Sequence, residues 1–372
     1  MSTTSVRSAA SWILRVPLPK AHVSEHEKGH HSTIDLIGVT LTTDSGVSGS
    51  GYSFVVGSDG SRAVKEVLDT VLIPTVKGRR SHDVHALWAQ WIRDTDRFGR
   101  GVVSLAISAV DTALWDLAAH ERSLSLARHV GQVRTRIPAY ASGQFSSDHP
   151  IDDMLRIAQG ELDRGMRAIK LRVGLDLGTD LERIKQLRRL GRDDLRIMCD
   201  ANERFDLPSA VRFARAAEPY DIFWLEEPLR ARDVAAHQQL ARSIGIPIAV
   251  GEHLQSTSEF LAFITAGAAQ VLQPDVGQIA GTTEFLRIAG LVRDHGLSLA
   301  PHFLPELHIH LIAGMENAIA LEQFPYADSF LVRGLAYEDG HALVPDGPGH
   351  GVEFTEAAWE TMLVAGSRPV SV

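Results

Sequence analysis

The hydrophobic pattern of the first third of the chain changes from a period of two to a helical period. Residues 32–54 alternate between apolar and polar types, and Asp44-Ser45-Gly46 interrupts them, which predicts a β-hairpin. From Ser61 to about Leu126, apolar residues recur at every third or fourth position, which predicts helices. Nearly all residues of 102–117 are apolar or small, so this helix should be buried. Together these elements predict an α+β unit over residues 1–133.

Beyond Val133, short apolar runs alternate with amphipathic segments. Eight runs have the length of strands, and each ends at or near a polar residue: 137–142, 168–172, 195–200, 222–226, 246–252, 269–275, 297–302 and 318–322. The segments between them predict helices at 152–165, 181–190, 209–217, 233–244, 258–266 and 283–295. Eight strands that alternate with helices over roughly 190 residues predict a parallel β/α barrel at 134–335.

An open, doubly wound sheet is the alternative to the barrel. Such a sheet normally begins with a Gly-rich phosphate loop between its first strand and a helix. The nearest candidate, Gly49-Ser50-Gly51, lies in the hairpin and precedes no helix, so the pattern favours the barrel. The turn-rich Pro345-Asp346-Gly347-Pro348-Gly349 stretch lies in a polar tail, 336–372, which we expect to pack back on the first unit.

Composition narrows the possible partners. The formal net charge of −9 argues against nucleic-acid binding, because nothing would neutralise a run of phosphates. The single cysteine, Cys199, excludes an internal disulfide framework and a multi-cysteine zinc site, and we expect it in the core. Arg15 cuts short the apolar run at Trp12, so we expect no signal peptide. No apolar stretch approaches the roughly 20 residues of a membrane span, so we expect a cytoplasmic protein without a membrane partner.

The chemistry of a β/α barrel lies at the carboxyl ends of its strands, where side chains converge. Here those ends carry Ser142, Lys170, Arg172, Asp200, Asn202, Glu226, Glu252, Asp275, His302 and Glu322. Asp200, Glu226 and Glu252 lie on successive strands, and without a cation they would repel one another. Oxygen ligands in this number suit Mg²⁺, which predicts a magnesium site. The alternative is that the three carboxylates form salt bridges with neighbouring arginines.

Two cationic residues and a histidine flank the three carboxylates. Lys170 and Arg172 are two positions apart on one strand, so both should point into the barrel; the alternative is that they snorkel or form structural ion pairs. Asp275 and His302 end neighbouring strands, where the carboxylate would orient the imidazole for proton transfer. A metal ion, Lys170 and a base around one substrate carboxylate would stabilise an enediolate. The sequence therefore predicts abstraction of a proton α to a carboxylate.

The remaining histidines carry weaker indications. His253 adjoins the third carboxylate and either contacts the substrate or packs structurally. His82, His85, His308 and His310 lie in helical patterns, and we expect no chemical part for them. The sequence contains no Gly-x-Ser-x-Gly, P-loop or His-Glu-x-x-His motif, so serine hydrolases, NTPases and zincins receive no support.

The polar strand ends resemble the motifs of the enolase superfamily and, within it, of the mandelate racemase subgroup. The matching stretches are Lys170-Leu171-Arg172, Cys199-Asp200-Ala201-Asn202, Trp224-Leu225-Glu226-Glu227-Pro228, Gly251-Glu252-His253, Gln273-Pro274-Asp275-Val276, Pro301-His302, Leu321-Glu322 and Val110-Asp111-Thr112-Ala113-Leu114-Trp115-Asp116-Leu117. The similarity follows the family's order along nearly the whole chain.

The resemblance implies an α/β protein with an N-terminal α+β capping domain over a modified (β/α)7β barrel of the TIM type. It implies a homo-oligomer, from dimer to octamer, with one Mg²⁺ per subunit that Mn²⁺ can replace. The substrate would be a small-molecule carboxylate, most simply an acid sugar. A segment at about 18–32 would form a lid over the substrate; its histidines are His22, His26, His30 and His31. As a bare pattern, these histidines are more typical of a solvated loop than of a metal site.

The resemblance also implies a role for each strand-end residue. Asp200, Glu226 and Glu252 would be the metal ligands, and Lys170 would bind the substrate carboxylate. Asp275 and His302 would be the catalytic pair, and Glu322 would be the acid that hydrogen-bonds the enediolate. Ser142 and Asn202 match positions that contact substrate in the family.

Arg172 departs from the racemase pattern, which has a second lysine at this position. A guanidinium stays protonated at neutral pH and cannot readily act as a base. With His302 as the only evident base, loss of a β-hydroxyl after α-proton abstraction is the simplest reaction, which predicts dehydration of an aldonate or aldarate to a 2-keto-3-deoxy acid. The alternatives are a racemase or epimerase of a 2-hydroxy acid, a sugar-lactone cycloisomerase, and a catalytically silent barrel that binds a sugar acid.

Overall fold

The computed structural model describes residues 4–19, 32–57, 60–190 and 194–368. Its strands are β1 (Val6–Pro17), β2 (Thr33–Thr43), β3 (Ser48–Val56), β4 (Arg136–Ala141), β5 (Ala168–Arg172), β6 (Arg196–Asp200), β7 (Ile222–Glu226), β8 (Ile248–Val250), β9 (Val271–Leu272), β10 (Ser298–Leu299), β11 (Leu321–Gln323), β12 (Tyr337–Glu338), β13 (His341–Leu343) and β14 (Leu363–Gly366). Its α-helices are α1 (Ser61–Val67), α2 (Ile73–Val76), α3 (Val84–Asp94), α4 (Val102–His120), α5 (Leu126–Val130), α6 (Ile151–Asp163), α7 (Leu177–Leu190), α8 (Leu207–Ala217), α9 (Val234–Ala241), α10 (Thr257–Ala266), α11 (Thr282–Asp294), α12 (Pro305–Ile312) and α13 (Glu356–Met362). The four histidines of the predicted lid lie outside the described residues.

Four antiparallel strands form a sheet in the order β14-β1-β2-β3. The predicted hairpin is β2–β3, and helices α1 to α5 follow it, so both predictions are confirmed. Strand β1 was not predicted. Both of its faces are covered, because Trp12 and Leu14 belong to one apolar cluster and Ile13 belongs to another. Its buried residues therefore form a continuous run instead of the alternation that marks a half-exposed strand.

Helix α4 packs very closely on β3. An ideal Cβ at Gly49 would lie 2.3 Å from the backbone nitrogen of Leu117, and one at Gly51 would lie 2.4 Å from the carbonyl oxygen of Ala109. The two glycines therefore permit helix and strand to touch. By length and composition α4 is apolar enough to cross a membrane, which corrects the expectation that no such stretch exists. Most of the helix is buried in the protein core, as a core helix of a soluble protein would be.

Within the described residues, the eight strands β4 to β11 alternate with the seven helices α6 to α12. This is the predicted (β/α)7β arrangement. Strands β4 to β10 are successive parallel neighbours, and β11 pairs in parallel with β4. The strand ladders do not close the ring. In the described chain, β10 meets the residues before β11 through the single bridge Leu299–Ala318.

The predicted bounds of β5 and β7 agree with the structure, whereas β8, β9 and β10 are shorter than predicted. At the end of β8 the chain passes very close to the neighbouring strand. After β8, Gly251 has a φ of 153°, and an ideal Cβ there would lie 2.6 Å from the backbone of Gln273. Glu252, Asp275 and His302 lie on loops just beyond the strands.

The tail contacts both parts of the molecule. Strand β13 pairs with β4 of the barrel and with β12, whereas β14 extends the first sheet beside β1. The segment that was expected to pack back on the first unit does so through β14 and also contacts the barrel through β13. The domain boundaries at 133 and 335 stay predictions.

Two buried carboxylates of α4 bind backbone N–H groups from distant parts of the chain. Asp111 accepts hydrogen bonds from the N–H and the hydroxyl of Thr283, at 2.8 and 2.7 Å, and thereby caps the N-terminus of α11. Asp116 accepts from the N–H groups of Ser50 and His350, at 2.8 and 2.7 Å. Helix α4 therefore joins the first sheet, the barrel and the C-terminal segment.

Replacement of Asp111 by Asn should lower the free energy of unfolding by about 1–3 kcal/mol, because the amide nitrogen replaces one of the two acceptor oxygens and the hydrogen bond that this oxygen accepts is lost. Urea denaturation followed by circular dichroism measures this loss. The matched control is Asp94→Asn at an exposed position in α3, which should change stability by less than about 0.5 kcal/mol. Equal effects of the two substitutions would contradict the capping role of Asp111.

Candidate active site

The three predicted metal ligands meet at the carboxyl edge of the barrel. Asp200 and Glu226 are the last residues of β6 and β7, and Glu252 lies two residues beyond β8. One carboxylate oxygen from each residue lies within 4.8 Å of those from the other two. Asp200 and Glu226 are fully buried, and the side chain of Glu252 is 11% exposed. The three strands are neighbours in the parallel sheet, which explains the convergence.

Two oxygens of this group lack hydrogen-bond donors. Oδ2 of Asp200 and Oε2 of Glu252 are buried and accept no hydrogen bond from the described residues. A buried carboxylate oxygen without a partner is costly, and such hard oxygen atoms are the ligands that Mg²⁺ prefers. The residues present therefore fit a magnesium ion.

A second group of potential ligands shares Glu252 and adds Glu227 and His253. Here Nδ1 of His253 lies 2.8 and 2.9 Å from the two oxygens of Glu227. Although burial lowers the pKa of His253, its bond to Glu227 and the charge of Glu252 raise that pKa to about 9. Both oxygens of Glu227 are thus already in contact with His253, and burial raises the pKa of Glu227 to about 8, which makes this group the weaker candidate.

Lys170 lies among carboxylates from three other strands. Its Nζ is 2.6 Å from Glu226 Oε1, 2.9 Å from Glu322 Oε1 and 3.6 Å from Asp200 Oδ2. Burial of Lys170 lowers its pKa, but these neighbours outweigh the effect and raise the pKa well above its ordinary value. Lys170 therefore carries a positive charge at the centre of the site.

Arg172 occupies the outer end of the same strand. Its Nη1 lies 3.7 Å from Asp200 Oδ2, and its side chain is about one quarter exposed. Lys170 and Arg172 both form ion pairs, as the alternative interpretation of these two residues predicted. These pairs involve the same carboxylates that could hold a metal ion.

Asp275 and His302 form the predicted carboxylate–imidazole pair. Nδ1 of His302 lies 2.8 Å from Asp275 Oδ2, and Asp275 Oδ1 accepts a hydrogen bond from the N–H of Gly277 at 2.8 Å. This contact assigns the Nδ1 proton to the bond with Asp275 and leaves Nε2 for proton exchange. Nε2 lies 3.3 Å from Oε2 of Glu252, so the imidazole faces the carboxylate group.

The charge state of His302 depends on these neighbours. Burial lowers the pKa of the ring, but Glu252, the hydrogen bond to Asp275 and the charge of Glu322 raise it to about 10. The isolated site therefore favours the imidazolium form. Any cation that offset the charge of Glu252 would lower this pKa and so favour the neutral base.

Glu322 in β11 links the two halves of the site. It accepts hydrogen bonds from the N–H of Phe303 at 2.7 Å and from the hydroxyl of Ser142, and it contacts Lys170. Burial raises the pKa of Glu322, but Lys170, His302 and these hydrogen bonds together lower it below its ordinary value. This direction favours the carboxylate form of Glu322, whereas the family resemblance implied a carboxylic acid, and its role stays a prediction.

Asn202 holds two of the predicted metal ligands in place. Its N–H donates to Asp200 Oδ1 at 2.9 Å, and its side-chain amide donates to Glu252 Oε1 at 3.2 Å. Its φ of 42° lies in the left-handed region, which asparagine tolerates better than most residues. All eleven predicted site residues thus belong to one connected network, and their roles stay predictions.

Sequence analysis missed three polar residues of this network. The indole N–H of Trp224 and the amide of Gln273 donate to Glu226 Oε2, at 3.0 and 2.8 Å, and Glu227 is fully buried. All three lie within two positions of a predicted site residue, inside stretches that resemble the family's motifs. The motifs indicated their place in the site but not which atoms they contact.

Two family models match the chain. The model of the mandelate racemase / muconate lactonizing enzyme N-terminal domain matches residues 5–131, and the enolase C-terminal domain-like model matches residues 153–358. The chain belongs to the mandelate racemase/muconate lactonizing enzyme family of the enolase superfamily. The resemblance seen in the motifs and the expected architecture of cap and barrel are thereby confirmed.

Several members of the mandelate racemase/muconate lactonizing enzyme family are similar over almost the whole chain. L-talarate/galactarate dehydratase of Salmonella typhimurium is 31% identical over 364 residues, which cover 96% of this chain and 90% of the relative. 3,6-Anhydro-α-L-galactonate cycloisomerase of Streptomyces coelicolor is 32% identical, and the match covers 91% of this chain and 94% of the relative. A further similar structure is the crystal structure of L-talarate dehydratase from Polaromonas sp. JS666, complexed with Mg and L-glucarate. It is 32% identical in sequence and has a TM-score of 0.90, and the match covers 98% of this chain and 99% of that chain.

Binding of Mn²⁺ distinguishes the two candidate ligand groups. Asp200→Asn should weaken Mn²⁺ binding at least about tenfold, because even loss of a hydrogen bond to a metal ligand has an effect of that size. Glu227→Gln, the matched control, should weaken binding by a smaller factor. Electron paramagnetic resonance of free Mn²⁺ gives both dissociation constants. A larger effect of Glu227→Gln would assign the ion to the second group.

Proposed function

We propose that this protein dehydrates an acid sugar, an aldonate or aldarate, to a 2-keto-3-deoxy acid through an enediolate. The observation that carries the proposal is the imidazole of His302, which is bonded to Asp275 and contacts Glu252 of the three carboxylates, while the position of the family's second lysine base holds Arg172. The dehydratases among the relatives support the proposal.

Lys170 would bind the carboxylate at the reacting end of the substrate, and the three carboxylates would hold a magnesium ion. The ammonium group of Lys170 would contact one oxygen of the substrate carboxylate and stabilise the charge that develops there. A magnesium ion held by Asp200, Glu226 and Glu252 would supply positive charge to the enediolate and offset the charge of Glu252, which raises the pKa of His302.

His302 would act first as a base and then as an acid. Its neutral Nε2 takes the α-proton, while the Nδ1–H bond to Asp275 keeps the ring in the required tautomer and orientation. The resulting imidazolium returns this proton to the β-hydroxyl, the carbon–oxygen bond breaks, and water leaves. The enol product then tautomerises to the 2-keto-3-deoxy acid, so no redox partner is required.

Arg172 would bind the substrate without exchanging a proton. A guanidinium remains protonated at neutral pH, and its donors suit a distal carboxylate or hydroxyl of an acid sugar. Ser142, Asn202 and His253 are the other proposed substrate contacts. We also propose a homo-oligomer in the cytoplasm, as the family resemblance and the composition suggest.

Cycloisomerisation of a sugar acid is the second candidate reaction. It is favoured by the 32% identity to a 3,6-anhydro-α-L-galactonate cycloisomerase, and it also begins with an enediolate. A racemase that uses two bases receives less support because of Arg172. A silent sugar-acid-binding barrel would not need the ordered Asp275–His302 pair.

Proton NMR in D₂O with Mg²⁺ tests the reaction directly. The panel contains aldonates, aldarates, 3,6-anhydro sugar acids and simple 2-hydroxy acids. Loss of an α-proton signal together with a new 3-deoxy methylene would support dehydration and identify the substrate. Deuterium exchange without a keto product would instead indicate a racemase or epimerase, and turnover of only anhydro acids would indicate the cycloisomerase.

His302→Asn should reduce kcat by roughly 10²–10⁴-fold, because the substitution removes the group that moves the proton. The asparagine amide can still bond to Asp275, so Mn²⁺ affinity and thermal stability should change little. Full turnover by this variant on the substrate found above would refute the assignment of His302 as the acid/base.

A further inference from the structure

His308 in α12 is a fully buried histidine that takes no part in the reaction just described. Its Nδ1 lies 2.6 Å from the carbonyl oxygen of Phe303, and its Nε2 lies 2.9 Å from the backbone nitrogen of Val276. The backbone N–H of Val276 must be the donor in the second bond, so Nε2 is an acceptor and Nδ1 donates to Phe303. Both nitrogens are therefore used, in one defined tautomer.

The two bonds reach the loops that carry the acid/base pair. Val276 follows Asp275 directly, and Phe303 follows His302 directly. One imidazole ring thus spans the backbone beside both members of the pair. The hydrogen bond between Asp275 and His302 requires these loops to keep one separation, and His308 ties them together from the side of the helix.

The loop after His302 needs such restraint. Phe303 and Leu304 have φ values of 55° and 38°, in the left-handed region that residues with a side chain adopt at a cost. A strained loop keeps its shape only when its surroundings hold it. Here the N–H of Phe303 is held by Glu322 and its carbonyl oxygen by His308.

The ring of His308 is itself held in position. It lies on a regular helix, and Phe285 of α11 packs against it at a centroid distance of 5.3 Å. Burial lowers its pKa, which favours the neutral ring that the two bonds require. The ring is therefore a fixed support whose charge does not oppose that of His302.

We propose that His308 is a positioning residue, which sets the separation and orientation of Asp275 and His302 by binding the backbone next to each of them. The inference rests on the proposed function, because it assumes that His302 moves the proton. It predicts an effect on the proton-transfer step that a merely structural core histidine would not have.

Two half-replacements separate positioning from packing. In His308→Asn, the amide nitrogen can take the place of Nδ1 and donate to Phe303, but the N–H of Val276 loses its acceptor. In His308→Gln, the amide oxygen can take the place of Nε2 and accept from Val276, but the bond to Phe303 is lost. The matched control is His310→Gln. His310 is buried on the same helix and bonds through Nε2 to the carbonyl oxygen of His350.

Both His308 variants should lose about 10–100-fold in kcat, because small displacements of a catalytic group have effects of this size. KM and the Mn²⁺ dissociation constant should stay within about twofold of the wild-type values, since the ligand-binding groups are untouched. His310→Gln should keep the wild-type kcat. Wild-type kcat in folded His308→Asn and His308→Gln would overturn the proposal.

NMR of protein with ¹⁵N-labelled histidine provides a readout that is independent of turnover. The Nδ1–H proton of His302, bonded to Asp275, should resonate far downfield and is identified by its loss in His302→Asn. It should shift or broaden in both His308 variants and stay unchanged in His310→Gln. In the wild-type protein, the ¹⁵N shifts of His308 should show a protonated Nδ1 and an unprotonated Nε2. The opposite tautomer would overturn the proposal even if neither variant folds.

The two proposals fail in different ways. If His302→Asn retains full turnover, the proposed function is wrong. If His302→Asn is inactive while both His308 variants work at the wild-type rate with an unchanged His302 signal, only the positioning role is wrong.

Discussion

An excess of buried negative charge at the carboxyl edge of the barrel governs the site. Among the described residues, six carboxylates (Asp200, Glu226, Glu227, Glu252, Asp275 and Glu322) form a network with four cationic or potentially cationic side chains (Lys170, Arg172, His253 and His302). With all six carboxylates ionised and both histidines protonated, the negative charges would outnumber the positive ones by two. Burial and the neighbouring carboxylates accordingly raise the pKa of Glu226 to about 7 and that of Glu227 to about 8. Burial makes such an imbalance costly. The buried oxygens of Asp200 and Glu252 that accept no hydrogen bond show where it is concentrated, and a divalent cation has the charge that would balance it.

The barrel makes this concentration of charge possible because its members come from seven different strands or strand-end loops. Lys170 contacts carboxylates from three strands, which no single helix or hairpin could bring together. The loops beyond β8 and β10 then turn sharply, through Gly251 and through Phe303 and Leu304. Glu252 and His302 meet across the edge of the sheet, where Oε2 of Glu252 lies 3.3 Å from Nε2 of His302. The strain at Phe303 is acceptable because Glu322 holds its N–H group and His308 holds its carbonyl oxygen.

The sequence predicts some of these features to the residue and is silent on others, for physical reasons. Strands β5 and β7 each end at a charged residue of the site, Arg172 and Glu226. The same change from apolar to charged residues therefore marks the end of the strand and the site residue. Strand β1 is covered on both faces and lacks the alternation that would mark it. The helical pattern places His308 on α12, but its ring nitrogens bond to loops of two other strands, which no local pattern encodes. The ionisation of Glu322 is equally non-local, because it depends on Lys170 and His302.

Arg172 limits the reactions that this site can perform. A lysine at its position could lose its proton when desolvated and act as a second base, whereas a guanidinium keeps its charge through the whole cycle. Inversion at the α-carbon by two bases requires one group to take a proton and another to supply it. Elimination requires only one group that takes a proton and then returns it to the leaving oxygen, which is the role proposed for His302, whose Nδ1 is bonded to Asp275. A dehydratase and a cycloisomerase therefore make the same demand on the barrel. The choice between them depends on whether the oxygen on the β-carbon of the substrate is a free hydroxyl or part of a ring.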